Sequence, residues 1–370
     1  MIGKIALSSF RNFSSKVVEF TDGVTLIIGP NASGKTNILE SLFLLSTGRS
    51  FKARTEVEMI IYGANLTRVS GILSDALGPV GSSSRSTFLA DAAGAQRDSL
   101  RSRHPSLEVV ITTGDNGWPK KKLMVNGVPR RLVDFSGNFK TVLFGPWDMD
   151  LVTESPSLRR KFLDTVLSQV DREYRRSVLS YEKGVRQRNR LLFRIREEGV
   201  SRSQLSFWNQ LLIKNGDYIN RCRREFIEFV NNGNFQFPIS NFQLDYDASI
   251  ISEGRLEQYK EEEIAAATTL VGPHRDDFSF KEKTRDLSAY GSRGEQSMGF
   301  LWLKMAELAF VEEKSGEKPT LLLDDIFSEL DHEHRDIVMD LTKRQQTIIT
   351  TADPHFVSNL KKVEKIELKG

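Results

Sequence analysis

The chain has 370 residues, of which 39% are hydrophobic and 27% charged, with a net charge of +3; it is long enough for about two or three domains and too apolar for a disordered chain. No apolar run approaches the roughly 18 residues of a membrane span, no secretory signal is visible, and the single cysteine, Cys222, excludes an intrachain disulfide and a four-thiolate metal centre. A soluble, cytoplasmic protein with no membrane partner is expected.

The first 50 residues read as strand, turn, strand, loop and helix. Val24 to Ile28 is a β-branched and aliphatic run suited to a strand buried on both faces, and after Gly34 the residues Ile38, Leu39, Leu42, Phe43 and Leu45 fall at helical spacing up to Gly48. Gly78 to His104 is rich in Ser, Gly, Ala and Arg and reads mostly as loop around one short strand. Strand-like segments at Leu107 to Thr112, Lys121 to Asn126 and Thr141 to Phe144, with turn residues Asp115, Asn116 and Gly117, predict a meandering sheet. From Ser155 and Pro156 to about Phe229 the pattern is helical. Phe162, Leu163, Val166, Leu167 and Val170 form one stripe, and Phe207, Trp208, Leu211 and Leu212 another, both read as core. Beyond the Glu-rich stretch Glu257 to Glu263, strand and loop character returns. A strand and helix series from Leu321 ends with Lys365 to Lys369 as an edge strand.

Charge is unevenly placed. Arg159 to Arg224 holds 17 Lys and Arg against 7 Asp and Glu, a local +10 that leaves −7 for the remainder. A solvated helical surface and a footprint for phosphate backbones both fit that pattern.

Three motifs carry chemistry. Gly29, Pro30, Asn31, Ala32, Ser33, Gly34, Lys35 and Thr36 fit GxxxxGK[ST] at every fixed position, between a buried strand and a helix. Glycines let backbone N–H groups fold around phosphate oxygens at the positive end of a helix; Lys35 reaches the β- and γ-phosphates and Thr36 ligates Mg²⁺. Thr320 to Leu323 delivers Asp324 and Asp325 to a strand end, where open α/β sheets place ligands. Asp324 is expected to hold Mg²⁺ and Asp325 to polarise an attacking water. Ser292, Arg293, Gly294, Glu295 and Gln296 open a further helix; alone, Ser292 with Glu295 is a capping box, an ordinary helix start.

The order of phosphate loop, serine-glycine-glutamate helix and double acid resembles the ABC-type ATPase family. That resemblance implies an α/β head with a mixed sheet, and two ATP molecules sandwiched between two heads. Ser292, Gly294 and Glu295 would belong to a signature that meets the γ-phosphate bound by another copy, and Ser328 to Asp331 would form the D-loop. The resemblance narrows to the RecF family of bacterial recombination mediators, SMC-type heads without long coiled coils. It rests on Phe10 to Phe13, Thr47 to Phe51, Asn126 with Gly127, Arg130 with Arg131, Phe144 with Pro146 and Asp148, Arg159 to Asp164, Gly272 to Asp277 and Asp324 to Asp331.

Membership implies an ATPase head of residues 1–152 and 266–370 interrupted by a helical arm of 153–265. It also implies weak DNA-stimulated ATP hydrolysis and a homodimer closed by ATP on duplex DNA near single-strand gaps. With RecR and RecO such a protein promotes RecA loading and supports replication, repair and the SOS response. The arm residues Arg186, Arg188, Arg190, Arg194 and Arg196 are the candidates for phosphate contacts.

Some features depart from transport ATPases. Asp325 is one methylene shorter than their glutamate, no clear Q-loop glutamine stands near Phe144 to Asp148, and the strand Thr347 to Ile349 ends in Thr350 and Thr351 rather than a switch histidine. The switch position falls to Thr350 or Thr351, and the resemblance implies Thr351 as the γ-phosphate sensor. His355 reads as a surface histidine, His332 and His334 as part of a solvated helix, and His274 as a structural or nucleotide-proximal loop residue. The alternatives are another SMC-type repair head and a transporter subunit, the latter needing a membrane partner.

Overall fold

A computed structural model describes residues 1–74, 105–114, 119–153, 155–233, 235, 237, 241–328, 330, 332–353, 355 and 363–369. The expected loop of 78–104 and the turn at 115–117 lie outside the described residues. Two compact units emerge, Met1–Pro146 with Lys318–Gly370, and Trp147–Glu317.

The first unit begins with β1 (Ile2–Phe10), β2 (Phe13–Glu19), β3 (Val24–Ile28) and α1 (Lys35–Thr47), followed by β4 (Leu66–Leu73), β5 (Ser106–Thr112), β6 (Lys120–Val125), β7 (Val128–Arg130), α2 (Leu132–Phe135) and β8 (Thr141–Phe144). The second unit carries α3 (Asp150–Thr153), α4 (Pro156–Val170), α5 (Arg172–Glu198), α6 (Leu205–Asn231), β9 (Phe242–Asp247), α7 (Glu253–Gln258), α8 (Lys260–Ala266), β10 (Asp277–Glu282), β11 (Arg285–Asp286), α9 (Leu287–Tyr290) and α10 (Arg293–Ser315). The chain then returns to the first unit with β12 (Thr320–Asp324), α11 (His332–Thr342), β13 (Thr347–Thr351) and β14 (Val363–Glu367).

In the first unit a six-stranded antiparallel sheet, β2-β1-β4-β5-β6-β7, accompanies a five-stranded parallel sheet, β14-β3-β13-β12-β8. Both sheets and α1 feed one apolar core, including Ile5, Leu42, Leu107, Leu322 and Ile348. A helix that touches β4 and β5 of one sheet and β8, β12 and β13 of the other has little solvent face, which is why α1 buries even Glu40 and Ser41. One expectation is corrected. Thr141–Phe144 leaves the meander and pairs parallel with β12 at the other sheet's edge; its four buried residues fit a strand covered on both faces. Meanwhile β4, with an alternating pattern, supplies a strand between β1 and β5 that the sequence reading missed. The last strand lies at the sheet edge, as expected, beside β3.

In the second unit α4, α5 and α6 occupy the stretch read as helical. The stripe of Phe162, Leu163, Val166 and Leu167 is buried, but of the second stripe only Leu212 is fully enclosed and Phe207 is 64% exposed. Phe207 instead stacks edge-on against Trp208, with ring centroids 5.0 Å apart. A three-stranded antiparallel sheet, β11-β10-β9, and the long α10 complete this unit.

Candidate nucleotide site

The parallel sheet brings three strand ends together. β13 pairs with β3 on one side and β12 on the other, with Thr351 opposite Ile28 and Thr350 opposite Asp324. Parallel direction points all three C-termini to one edge, so the loop after β3, the acids after β12 and the threonines of β13 share it.

From Ile28 the chain turns through Gly29 to Gly34 into α1. Gly34 has φ 99°, and a Cβ there would sit 2.5 Å from Phe13 Cζ, so no other residue fits. Lys35 Nζ donates to the carbonyls of Gly29 at 2.7 Å and Pro30 at 3.0 Å, which draws the ammonium over the loop. Ser33 Oγ is buried without a hydrogen-bond partner among the described residues. An enclosed hydroxyl, an ammonium and a glycine-lined helix start suit a polyphosphate, which accepts from all of them.

Thr36 Oγ1 donates to Asp324 Oδ1 at 3.0 Å, and Thr350 Oγ1 donates to the same oxygen at 2.6 Å. Residues 288 apart in sequence thus meet in one cluster. Asp324 is 3% exposed, and burial raises its pKa; the two hydroxyls oppose that rise, the Asp325 charge adds to it and Lys52 lowers it. A hydroxyl beside a desolvated carboxylate is a hard-oxygen pair of the kind that binds Mg²⁺ together with phosphate oxygens. No group of three or more His, Cys, Asp or Glu suited to a metal occurs among the described residues. Asp325 lies at φ 49° with its N–H on Thr350 O at 3.0 Å, and Thr351 Oγ1 donates to Asp325 Oδ1 at 3.4 Å.

Sequence reading missed the shell behind this edge. Arg11, in the β1–β2 turn, forks onto the buried carboxylate of Glu40 with bonds of 2.8 and 2.6 Å, and Ser50 donates to that same carboxylate. Asn12 Nδ2 donates to Ser33 O at 3.2 Å; Asn37 Nδ2 donates to Asn12 Oδ1 at 2.9 Å, and Lys52 Nζ to Asn37 Oδ1 at 3.1 Å. The strings Phe10 to Phe13 and Thr47 to Phe51 therefore meet around α1, bracing the phosphate loop. Glu40 carried one available signal: a carboxylate amid the apolar run of a helix calls for a cationic partner.

In the second unit Ser292 caps α10. Its N–H donates to Glu295 Oε2 at 2.7 Å, and Glu295 N–H donates to Ser292 Oγ at 3.3 Å. The Ser292 bond, then Arg285, lowers the Glu295 pKa to about 2. Gly294 is exposed, and a Cβ built on it would touch nothing, so its own chain gives no reason for glycine there.

The arm arginines divide. Arg188 is 2% exposed and donates to Glu263 at 2.6 Å, Thr269 at 2.9 Å and Asn209 at 2.8 Å, so it is removed from the phosphate-contact candidates: its guanidinium is enclosed and neutralised. Arg194 pairs with Glu198 and Arg196 with Glu197, whereas Arg186 and Arg190 are exposed. His334 is 4% exposed, against the solvated position expected for it, and His355 is exposed as expected.

The family model of the RecF/RecN/SMC N-terminal domain matches residues 1–369. A DNA replication and repair protein RecF of Herpetosiphon aurantiacus is 33% identical over 97% of this chain and 96% of its own. The solved structure of the recombination mediator protein RecF with ATPγS, of the RecFOR pathway, matches with TM-score 0.82 and 30% identity over 99% of this chain and 96% of that one. The ATP complex of RecF gives 0.81 and 31%, over 97% and 93%.

Proposed function

The chain belongs to the RecF family, within the RecF/RecN/SMC group of ABC-type ATPase folds, and from that premise we propose that it is an ATP-switched, DNA-binding homodimer of recombinational repair. The observation that carries this reading is the junction of phosphate loop and strand-end acid, Thr36 Oγ1 on Asp324 Oδ1 at 3.0 Å with Thr350 on the same oxygen.

Backbone N–H groups of the Asn31 to Gly34 turn, Ser33 Oγ and Lys35 Nζ hold the β- and γ-phosphates. Thr36 and Asp324 hold Mg²⁺, which when bound neutralises phosphate charge. Asp325 orients water toward the γ-phosphate, and Thr351 senses it. A carboxylate one methylene shorter than glutamate reaches less far toward that water, consistent with weak hydrolysis, stimulated by DNA and used for release. Ser292 Oγ and Gly294 N–H of a second copy supply the remaining donors, which need the γ-phosphate and are lost with it. The open space at Gly294 supports a close approach from outside the chain.

In this reading residues 1–152 and 266–370 act as the ATPase head and 153–265 as the arm. The ATP dimer closes on duplex DNA near a single-strand gap. With RecR and RecO, named by analogy to relatives of the RecFOR pathway, it promotes RecA loading in the cytoplasm and so supports replication and the SOS response. No described helix is long and apolar enough to cross a membrane. Sedimentation of the full chain tests the switch: ATP with Mg²⁺ is expected to give a dimer and ADP a monomer, and a monomer in saturating ATP overturns it.

A further inference from the structure

The turn Pro273–Arg275 is braced from within the second unit. Gly272 lies at φ 121°, and a Cβ there would be 2.1 Å from Tyr181 Oη, so the entry to the turn is fixed to glycine. Tyr181 Oη lies 2.9 Å from His274 Nδ1, and His274 Nε2 lies 3.0 Å from Thr269 O. A carbonyl only accepts, so Nε2 carries the proton and Nδ1 accepts from the tyrosine. That imidazole is neutral, its pKa pushed down to about 4 by burial first. Beyond the turn, Asp276 is fully enclosed and accepts from Arg223, Tyr246 and the Ser249 N–H.

Charge around this braced turn does not balance. Arg223 is paired with Asp164 and Asp276, Arg159 with Asp277, and Arg188 with Glu263. Arg160 and Arg275 have no such ion pair among the described residues. Arg160 donates once, to Asp276 O at 2.8 Å, and Arg275 once, to Thr269 O at 3.1 Å. Each carbonyl pins one edge of a guanidinium and leaves its other N–H groups without a partner among the described residues. Arg160, on α4, is anchored at Asp276, the residue after the turn, and Arg275 is the last residue of the turn itself, so the two guanidiniums are tied to the same stretch of chain. Burial and then the Arg223 charge lower the Arg160 pKa, against three nearby aspartates.

We infer that Arg160 and Arg275, held by the fixed turn at 273–275, form a contact site for backbone phosphates of duplex DNA. The inference rests on the DNA-binding reading above and names residues for it. Guanidinium forks match phosphate oxygens two at a time. Pinning each through a carbonyl reduces the freedom lost on binding. Two fixed cations from separate elements, with no glycine-rich loop around them, suit the outside of a phosphodiester chain better than an enclosed nucleotide. Such contacts position the duplex without reading its sequence.

The test is a salt series on the full chain with ATP and a mixed-sequence duplex. For R160Q/R275Q the slope of log affinity against log salt is expected to become shallower by about 1 for each lost contact, with weaker binding at every salt. The charge-keeping R160K/R275K is expected to keep the parent slope. Should the double glutamine variant fail to fold, the exposed Arg275→Gln alone is expected to flatten the slope by about 1. An unchanged slope in folded glutamine variants overturns the site while leaving the DNA reading standing. Loss of ATP affinity with an unchanged slope assigns the cations to nucleotide phosphate and equally overturns it. A parent chain without salt-dependent DNA affinity overturns the reading and the site together.

Discussion

At Asp324 opposing forces meet on one carboxylate. Burial raises its proton affinity above that of the unfolded chain, while hydroxyl bonds from Thr350 and Thr36 hold the rise in check. The folded state therefore binds more protons between the two pKa values, and stability falls as pH rises through that window. Asp324→Asn keeps an oxygen for both hydroxyls and removes the charge. It is expected to raise the melting temperature at neutral pH without nucleotide by a few degrees, while weakening Mg²⁺-dependent ATP binding. A lower melting temperature would show that the ionised carboxylate is not a burden in the free chain. Lys35 and Ser292 separate binding from assembly: Lys35→Met is expected to lose ATP in a filter assay, whereas Ser292→Arg should bind ATP and sediment as a monomer. A dimeric Ser292→Arg variant would remove Ser292 from the contact between copies.

Among the elements, α5 and α8 are joined by an ion pair that no surface pattern discloses. Arg188 and Glu263 are both nearly inaccessible, with the Thr269 hydroxyl and the Asn209 amide completing the guanidinium's bonds. Removing one member leaves the other charge buried and unmatched. Arg188→Ala is expected to cost about 3 to 5 kcal/mol in urea unfolding, whereas R188M/E263L should recover most of it. A loss no larger than that of a surface arginine would return Arg188 to the DNA candidates. The same logic explains α1. Packed by both sheets, it needed a partner for Glu40, and Arg11 reaches it from the β1–β2 turn.

On the scale of the whole molecule, the prediction concerns coupling between nucleotide and DNA. If ATP closes two copies on a duplex, affinity should be higher with ATP than with ADP or no nucleotide and fall steeply as salt rises, because phosphate contacts release counterions. Gapped, duplex and single-stranded probes compared across the three nucleotide states check this. Equal binding in all three states would sever the clamp from the ATP switch.

The phosphate loop, the double acid, the serine-glycine-glutamate cap and the helical run from Pro156 were all legible in the sequence, because each is set by local chemistry: glycine conformations, strand-end carboxylates, a capping box and apolar spacing. The membership of β8 was not legible, since a buried apolar strand has the same residues whichever sheet accepts it. Nor was the difference between Arg188, enclosed and neutralised, and Arg186, exposed only two residues away, because helix periodicity does not say which neighbour brings a carboxylate. Tertiary structure decided those points. Burial and ion pairing depend on residues distant in sequence, as when Thr36 meets Asp324 only after parallel strands align their ends.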